Sequence, residues 1–277
     1  MPRNPLGKSG RMAMEQLIEG RSGCYGKIPR LGDFITRTLD RQVVELWDEW
    51  LQDGMAASRD LLGEDWVDFY TIAPVWNFAA GAGALGQSTW LGVMIPSVDR
   101  VGRYFPFTVM VDAGDCSPLA AIYCWQGWFE QAQALALECL EDSFDPASLE
   151  ARLAALPDAD QHPNGRSPGE SWIALHDAGR HYSLGSAVTT RDVLARIGTD
   201  ALAEIYPAFS LWWTQGSERI PPCLLLDRGL PRANGFSGLI DGNFQAVGWE
   251  GAGRIGSQLE AEQDWDQAEE EIDRGTV

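Results

Sequence analysis

Between residues 40 and 55 the apolar side chains Val43, Val44, Leu46, Trp47, Trp50, Leu51 and Met55 recur at helical spacing. They form one stripe of an α-helix, and Asp40 stands where an N-cap carboxylate would meet the free N–H groups of the first turn. The pattern then changes. Residues 71–80 and 88–98 read as two strands joined by a glycine-rich turn. Over 105–112, Phe105, Phe107, Val109 and Val111 alternate with Pro106, Thr108 and Met110, which predicts a third strand. Residues 117–141 give the clearest helix, and apolar side chains around most of its circumference predict packing on more than one side. Asp145-Pro146 starts another helix, with proline at its first position, running to about residue 156. The stretch 157–169 is rich in Pro, Gly, Asp and Asn and reads as a loop. A strand over 172–175, a helix over about 190–206, a strand over 209–214 and a buried strand over 223–226 complete the pattern.

Strands and helices are interspersed throughout, which favours an α/β layered domain over segregated modules. No internal repeat is visible. Residues 23–250 are expected to form one domain, preceded by a flexible basic arm (1–22) and followed by an acidic tail (251–277).

Composition changes the picture mainly through charge. The 277-residue chain is 45% hydrophobic and 22% charged, the balance of an ordinary globular protein. Its net charge of -19 argues against nucleic acid or an anionic membrane as partner, since both require a cationic face. The charge is uneven: residues 1–30 hold six basic side chains against Glu15 and Glu19, and residues 260–277 hold eight acidic ones against Arg274. Such an acidic run is usually a solvated tail. Twelve tryptophans suit either a large core or an interface. Five cysteines with no CxxC do not describe a disulfide framework. There is no apolar stretch of signal-peptide or membrane-spanning length, so a reducing cytoplasm is the expected location.

Several motifs resemble catalytic or cofactor sites but sit in the wrong context. Gly81, Gly83 and Gly86 fit G-x-G-x-x-G, yet the loop leads into a strand rather than the helix that a dinucleotide requires. Gly251, Gly253 and Gly256 fit it too, with too little sequence afterwards for a second βα unit. Gly165-Arg166-Ser167-Pro168-Gly169 follows a polar loop, whereas a nucleophile elbow needs a hydrophobic strand before it. His162, His176 and His181 lack metal-ligand spacing. No cofactor, metal or small-molecule substrate is therefore expected.

Residues 97–106, Ser97-Val98-Asp99-Arg100-Val101-Gly102-Arg103-Tyr104-Phe105-Pro106, crowd charge into a short loop between two strands. Asp99 could cap backbone N–H groups or pair with Arg103, making a self-satisfied loop. Alternatively, the arginines could face outward to recognise a carboxylate or phosphate on a partner. Spacing favours the first reading and leaves the second open.

This segment resembles the signature of the type VI secretion system-associated TagF family. Two further stretches strengthen the resemblance. Residues 23–34, Gly23-Cys24-Tyr25-Gly26-Lys27-Ile28-Pro29-Arg30-Leu31-Gly32-Asp33-Phe34, look like the family's opening. Trp47, Asp48 and Trp50, followed by Ala73-Pro74-Val75-Trp76-Asn77-Phe78, fit its next part. The clear match covers 23–112, with weaker echoes at Ser210-Leu211-Trp212-Trp213 and Gly229-Leu230-Pro231.

The resemblance implies a three-layer α/β/α sandwich and a non-catalytic, post-translational repressor of the secretion apparatus. It also implies a protein partner, the forkhead-associated scaffold protein Fha, and supplies no catalytic residues to carry over. The expected contact patch combines Asp33, Arg37, Asp99, Arg100 and Arg103, with Trp212 and Trp213 either joining it or lying in the core. The rivals are a hydrolase or phosphatase-like enzyme of the same pathway and a stoichiometric component of the secretion assembly.

Overall fold

The structure is a computed structural model and describes residues 21–157 and 190–251. Most of the basic arm, the 172–175 strand, all three histidines, the G-x-S-x-G match, the second G-x-G-x-x-G match and the acidic tail lie outside the described residues.

Chain order gives β1 (Ser22–Gly26), β2 (Ile35–Arg37), α1 (Arg41–Leu62), α2 (Trp66–Thr71), β3 (Trp76–Ala80), β4 (Trp90–Ile95) and β5 (Phe107–Asp112). There follow α3 (Pro118–Cys124), α4 (Gln126–Glu138), α5 (Leu149–Ala154), α6 (Thr190–Ile205), β6 (Phe209–Thr214), β7 (Cys223–Arg228) and α7 (Gly235–Asp241). The strands form one seven-stranded sheet in the order β2-β1-β5-β4-β3-β6-β7. Every neighbouring pair is antiparallel.

Alternation along the strands divides the apolar residues between two clusters. Phe107, Val109 and Val111 of β5 point to one side, with Leu91, Val93 and Ile95 of β4, against Trp128, Phe129, Ala132 and Leu135 of α4. Met110 of β5, Met94 of β4, Phe78 of β3 and Trp212 of β6 face the other way, onto Trp47, Leu51 and Met55 of α1 and Phe236 of α7. The α1 stripe is thus the one its spacing predicts except at Leu46, which lies off the buried face and is exposed, and the Asp40 carboxylate accepts from Gln42 N–H at 2.7 Å as an N-cap.

The second cluster is built on stacked rings. Phe78 packs on Trp47 (4.8 Å between centroids) and on Trp212 (4.9 Å), which are themselves 6.2 Å apart, and Trp50 packs on Trp212 at 5.4 Å. The indole N–H of Trp47, fully buried, donates to Thr108 Oγ1 at 3.1 Å, which removes the cost of burying an unmet donor. The stack depends on Gly92. A Cβ there would lie 2.2 Å from Phe78 Cζ. Gly92→Ala is therefore expected to cost about 1–3 kcal/mol through overpacking. Thermal unfolding checks this, with a Tm drop of about 2–4 °C per kcal/mol; an unchanged Tm would show that the ring stack can shift freely.

Two sequence expectations need correction. The strand expected over 71–80 begins only at Trp76, because residues 66–71 are helical: Trp66 and Tyr70, one turn apart, stack at 4.6 Å and are both buried. The single helix expected over 117–141 is two, broken at Trp125 (φ -111, ψ 16), whose buried ring packs edge-on against Trp128. The break gives the expected packing on more than one side, with α3 against α6 and α4 against β4. As expected, the Gly81–Gly86 loop is a turn between antiparallel strands, closed by Gly83 N–H to Gly86 O at 2.8 Å. Gly83 and Gly86 both take positive φ there, conformations that favour glycine. Among the described residues, no helix is long and apolar enough to cross a membrane.

Candidate interaction site

The 97–105 loop joins β4 to β5 and folds back on itself. Val98 and Tyr104 form an antiparallel bridge, Phe105 N–H donates to Ser97 O at 3.0 Å, and Asp99 N–H donates to Arg103 O at 3.0 Å. Gly102, at φ 86, makes the reversal that an L side chain would resist. The tip is held from within by Asp99. Its Oδ1 accepts from Val101 N–H (3.0 Å) and Arg103 N–H (2.9 Å), while Oδ2 accepts from Arg103 Nε at 2.6 Å and meets Lys27 Nζ at 3.1 Å.

Burial alone would raise the Asp99 carboxyl. The N–H and guanidinium of Arg103, the Lys27 ammonium and Val101 N–H outweigh it and hold the group well below the usual carboxylate range. The side chains of Asp99 and Lys27 are almost wholly buried, so this is a paired and hydrogen-bonded ionic node rather than a surface salt bridge.

The node ties the loop to a second one, residues 27–34, between β1 and β2. Arg100 N–H donates to Leu31 O at 3.0 Å, and Arg103 Nη2 donates to Gly32 O at 2.6 Å. Around it Tyr25, Phe34 and Phe105 pack as a ring trio: Tyr25 stacks on Phe34 at 5.7 Å, and Phe105 meets Phe34 edge-on at 4.8 Å. Lys27 Nζ lies 4.8 Å from the Phe34 ring centre. Tyr104 sits edge-on to both Trp66 and Tyr70 at 5.6 Å, pinning the other flank of the loop to α2.

The outer surface of the paired loops is mixed. Phe34 is 43% exposed and Val101 65%. Arg30, Asp33 and Arg100 are exposed as well, and the Arg103 side chain is about half so. Among the described residues, the guanidinium of Arg100 makes no ion pair. The backbone beneath is fixed by buried chemistry, while cationic and apolar groups face outward.

Of the residues singled out from the sequence, Asp33, Asp99, Arg100 and Arg103 come together here. Asp33 accepts from Phe34 N–H at 2.8 Å and shapes the second loop. Arg37 is exposed on the edge strand β2, where its guanidinium donates to Thr36 O at 2.8 Å, and no contact links it to Asp99. Trp212 and Trp213 are elsewhere. They sit on β6, two strands beyond β4 and so about 10 Å across the sheet. Trp212 is fully buried in the ring stack. Trp213 is half-buried on the opposite face, edge-on to Phe129 at 4.7 Å. The tryptophans are core residues because adjacent strand positions face opposite clusters, and both clusters are apolar. Lys27, Phe34 and Val101 were not singled out; a lone lysine between the buried Gly26 and Ile28 was the available signal for a buried ion pair.

Fold and site together define a mixed helix–strand protein with one antiparallel sheet and a rigid, ionically anchored pair of surface loops at one end. The family model described as "TagF N-terminal domain, Type VI secretion system-associated" matches residues 23–156, which contain both loops. A crystal structure of PA0076 from Pseudomonas aeruginosa PAO1 is similar at 35% sequence identity and TM-score 0.66, over 84% of this chain and 98% of that one. No curated protein matches the chain. The chain belongs to the type VI secretion system-associated TagF family.

Proposed function

We propose that this protein is a cytoplasmic, non-catalytic repressor of type VI secretion that binds the forkhead-associated scaffold protein through the paired loops and withholds it from assembly. The observation that carries the reading is the loop pair itself: exposed Phe34, Val101, Arg100 and Arg103 mounted on a buried Asp99–Lys27–Arg103 node. A backbone fixed in advance lowers the ordering cost of binding, and exposed aromatic and arginine groups are the composition typical of interface hot spots. Membership of a secretion-associated family supports a protein partner over a metabolite.

Burial disfavours thiolate chemistry at three of the cysteines. Burial pushes Cys24, Cys116 and Cys139 up to about 12, so at neutral pH they are thiols and poor nucleophiles. The two apolar clusters, one on each side of the sheet, support a helix–sheet–helix layering across a single domain over 23–250.

Deletion in the producing bacterium tests the direction of control. Loss of a repressor raises secretion of the apparatus's exported proteins, and restoring the chain lowers it again. Loss of secretion on deletion would instead make the protein an assembly component and sink the repressor reading.

A further inference from the structure

The paired loops are a cationic island on an anionic chain. Residues 27–34 and 97–105 carry Lys27, Arg30, Arg100 and Arg103 against Asp33 and Asp99, while the whole chain carries -19. Lys27 and Asp99 pair inside, with Arg103 Nε on the same carboxylate, so the outward face presents Arg30, Arg100 and the outer half of Arg103 against a single exposed carboxylate, Asp33, beside exposed Phe34 and Val101. The chain also contains the complement of that face. Residues 260–277 hold eight carboxylates against Arg274, and among them Trp265 stands between Asp264 and Asp266. An aromatic flanked by carboxylates matches an apolar patch flanked by arginines in charge and in chemical character.

The described chain ends close enough for that segment to reach. Leu239 and Ile240 of α7 line the same small apolar cleft as Pro96 and Pro106, the flanks of the 97–105 loop. Trp249 packs back on Phe244 just after α7, at 5.8 Å, which holds the last described residues beside that helix. From Gly251 to Trp265, up to about 3.3–3.6 Å per residue is available, a reach of roughly 45–50 Å.

We propose that the acidic C-terminal segment, residues 260–277, docks in cis on the Arg30–Arg100–Arg103 face, with Trp265 against Phe34 and Val101, and competes with the protein partner for it. The inference rests on the reading of the paired loops as the partner-binding face and adds its regulation. Tethering supplies an effective concentration on the order of millimolar, so weak contacts suffice to occupy the face. A partner must displace the segment, and salt weakens both contacts because the arginines are solvent-exposed.

The test uses the full chain with the photo-crosslinking residue p-benzoylphenylalanine in place of Trp265. Irradiation at low salt should give cross-links within one chain to residues 28–34 or 98–105, mapped by mass spectrometry. Arg100→Glu, or about 0.5 M salt, should cut their yield severalfold. Cross-links to another part of the fold, no cross-links, or cross-links only between two copies would each overturn docking in cis. A second full chain, carrying D264N, D266N, E269Q, E270Q and E271Q, should bind the scaffold protein about three- to tenfold more tightly; unchanged affinity would overturn the competition. If the segment fails both tests while Arg100→Glu still weakens scaffold binding, the loop face stands and only its regulation falls. If Arg100→Glu is also without effect, the binding reading falls too.

Discussion

Replacing Asp99 by Asn is expected to cost about 3–5 kcal/mol of folding stability, because it leaves the Lys27 ammonium buried without its counter-charge. The substitution nearly preserves shape, so packing changes little and the loss is electrostatic. One carboxylate serves four donors: Arg103 through its backbone and its guanidinium, Val101 N–H and Lys27 Nζ. An amide would also turn an NH2 group towards some of these donors. The pH dependence has a definite sign. The folded carboxyl lies below its unfolded value of about 3.9, so its contribution is fully present above that pH and is lost as pH falls through the lower folded value. Urea unfolding of both chains at neutral pH should show the full gap, and the gap should narrow in strong acid. A difference below about 1 kcal/mol at neutral pH would mean that the node is dispensable.

Trp212→Ala is expected to have an effect of similar size for a different reason. Its ring is fully buried, stacked against Phe78 and tilted against Trp50, with the indole N–H donating to Ser210 Oγ at 2.9 Å. Truncation removes that surface and opens a cavity bounded by other rings that cannot collapse into it, at about 3–5 kcal/mol. Denaturant unfolding should show a large drop in midpoint. A chain of native stability that has lost partner binding would return Trp212 to the interface; the packing predicts a destabilised chain that binds normally wherever it remains folded.

The elements legible in the sequence are those whose pattern is local and strong. The α1 stripe with its Asp40 cap and the β5 alternation from Phe107 onward have the structure expected of them, since each fixes a buried face by its own period; Phe105 precedes the strand and packs in the other cluster. The first hairpin was not legible. β1 reads Ser-Gly-Cys-Tyr-Gly, a composition poor for a strand. Its glycines are there because a Cβ at Gly23 would lie 2.5 Å from Arg37 O, and one at Gly26 would lie 2.1 Å from Pro106 O. Those neighbours come from elsewhere in the chain, so no local pattern could announce them.

The same contrast holds at the site. Pairing of Asp99 with Arg103 lies within five residues and was one of two readings that spacing allowed; the structure makes that pair. The contribution of Lys27 arises from a segment 72 positions earlier in the chain and needs the sheet to bring it in. The sequence allows Trp212 and Trp213 either a place in the patch or one in the core; adjacent positions on a strand covered on both faces send one ring to each core. Asp33, Asp99, Arg100 and Arg103 thus lie together on the paired loops, while Arg37, Trp212 and Trp213 lie apart from them.

In the proposed function the outward face of this loop pair, rather than the buried node beneath it, binds the partner. This is tested most directly by titrating the forkhead-associated scaffold protein with the native full chain and with Arg100→Glu, while measuring the stability of both. Arg100 is exposed and makes no ion pair among the described residues, so its reversal should leave the unfolding midpoint unchanged and weaken binding by roughly thirtyfold, about 2 kcal/mol. Equal affinities for the two chains, at equal stability, would mean that the partner binds elsewhere on the protein.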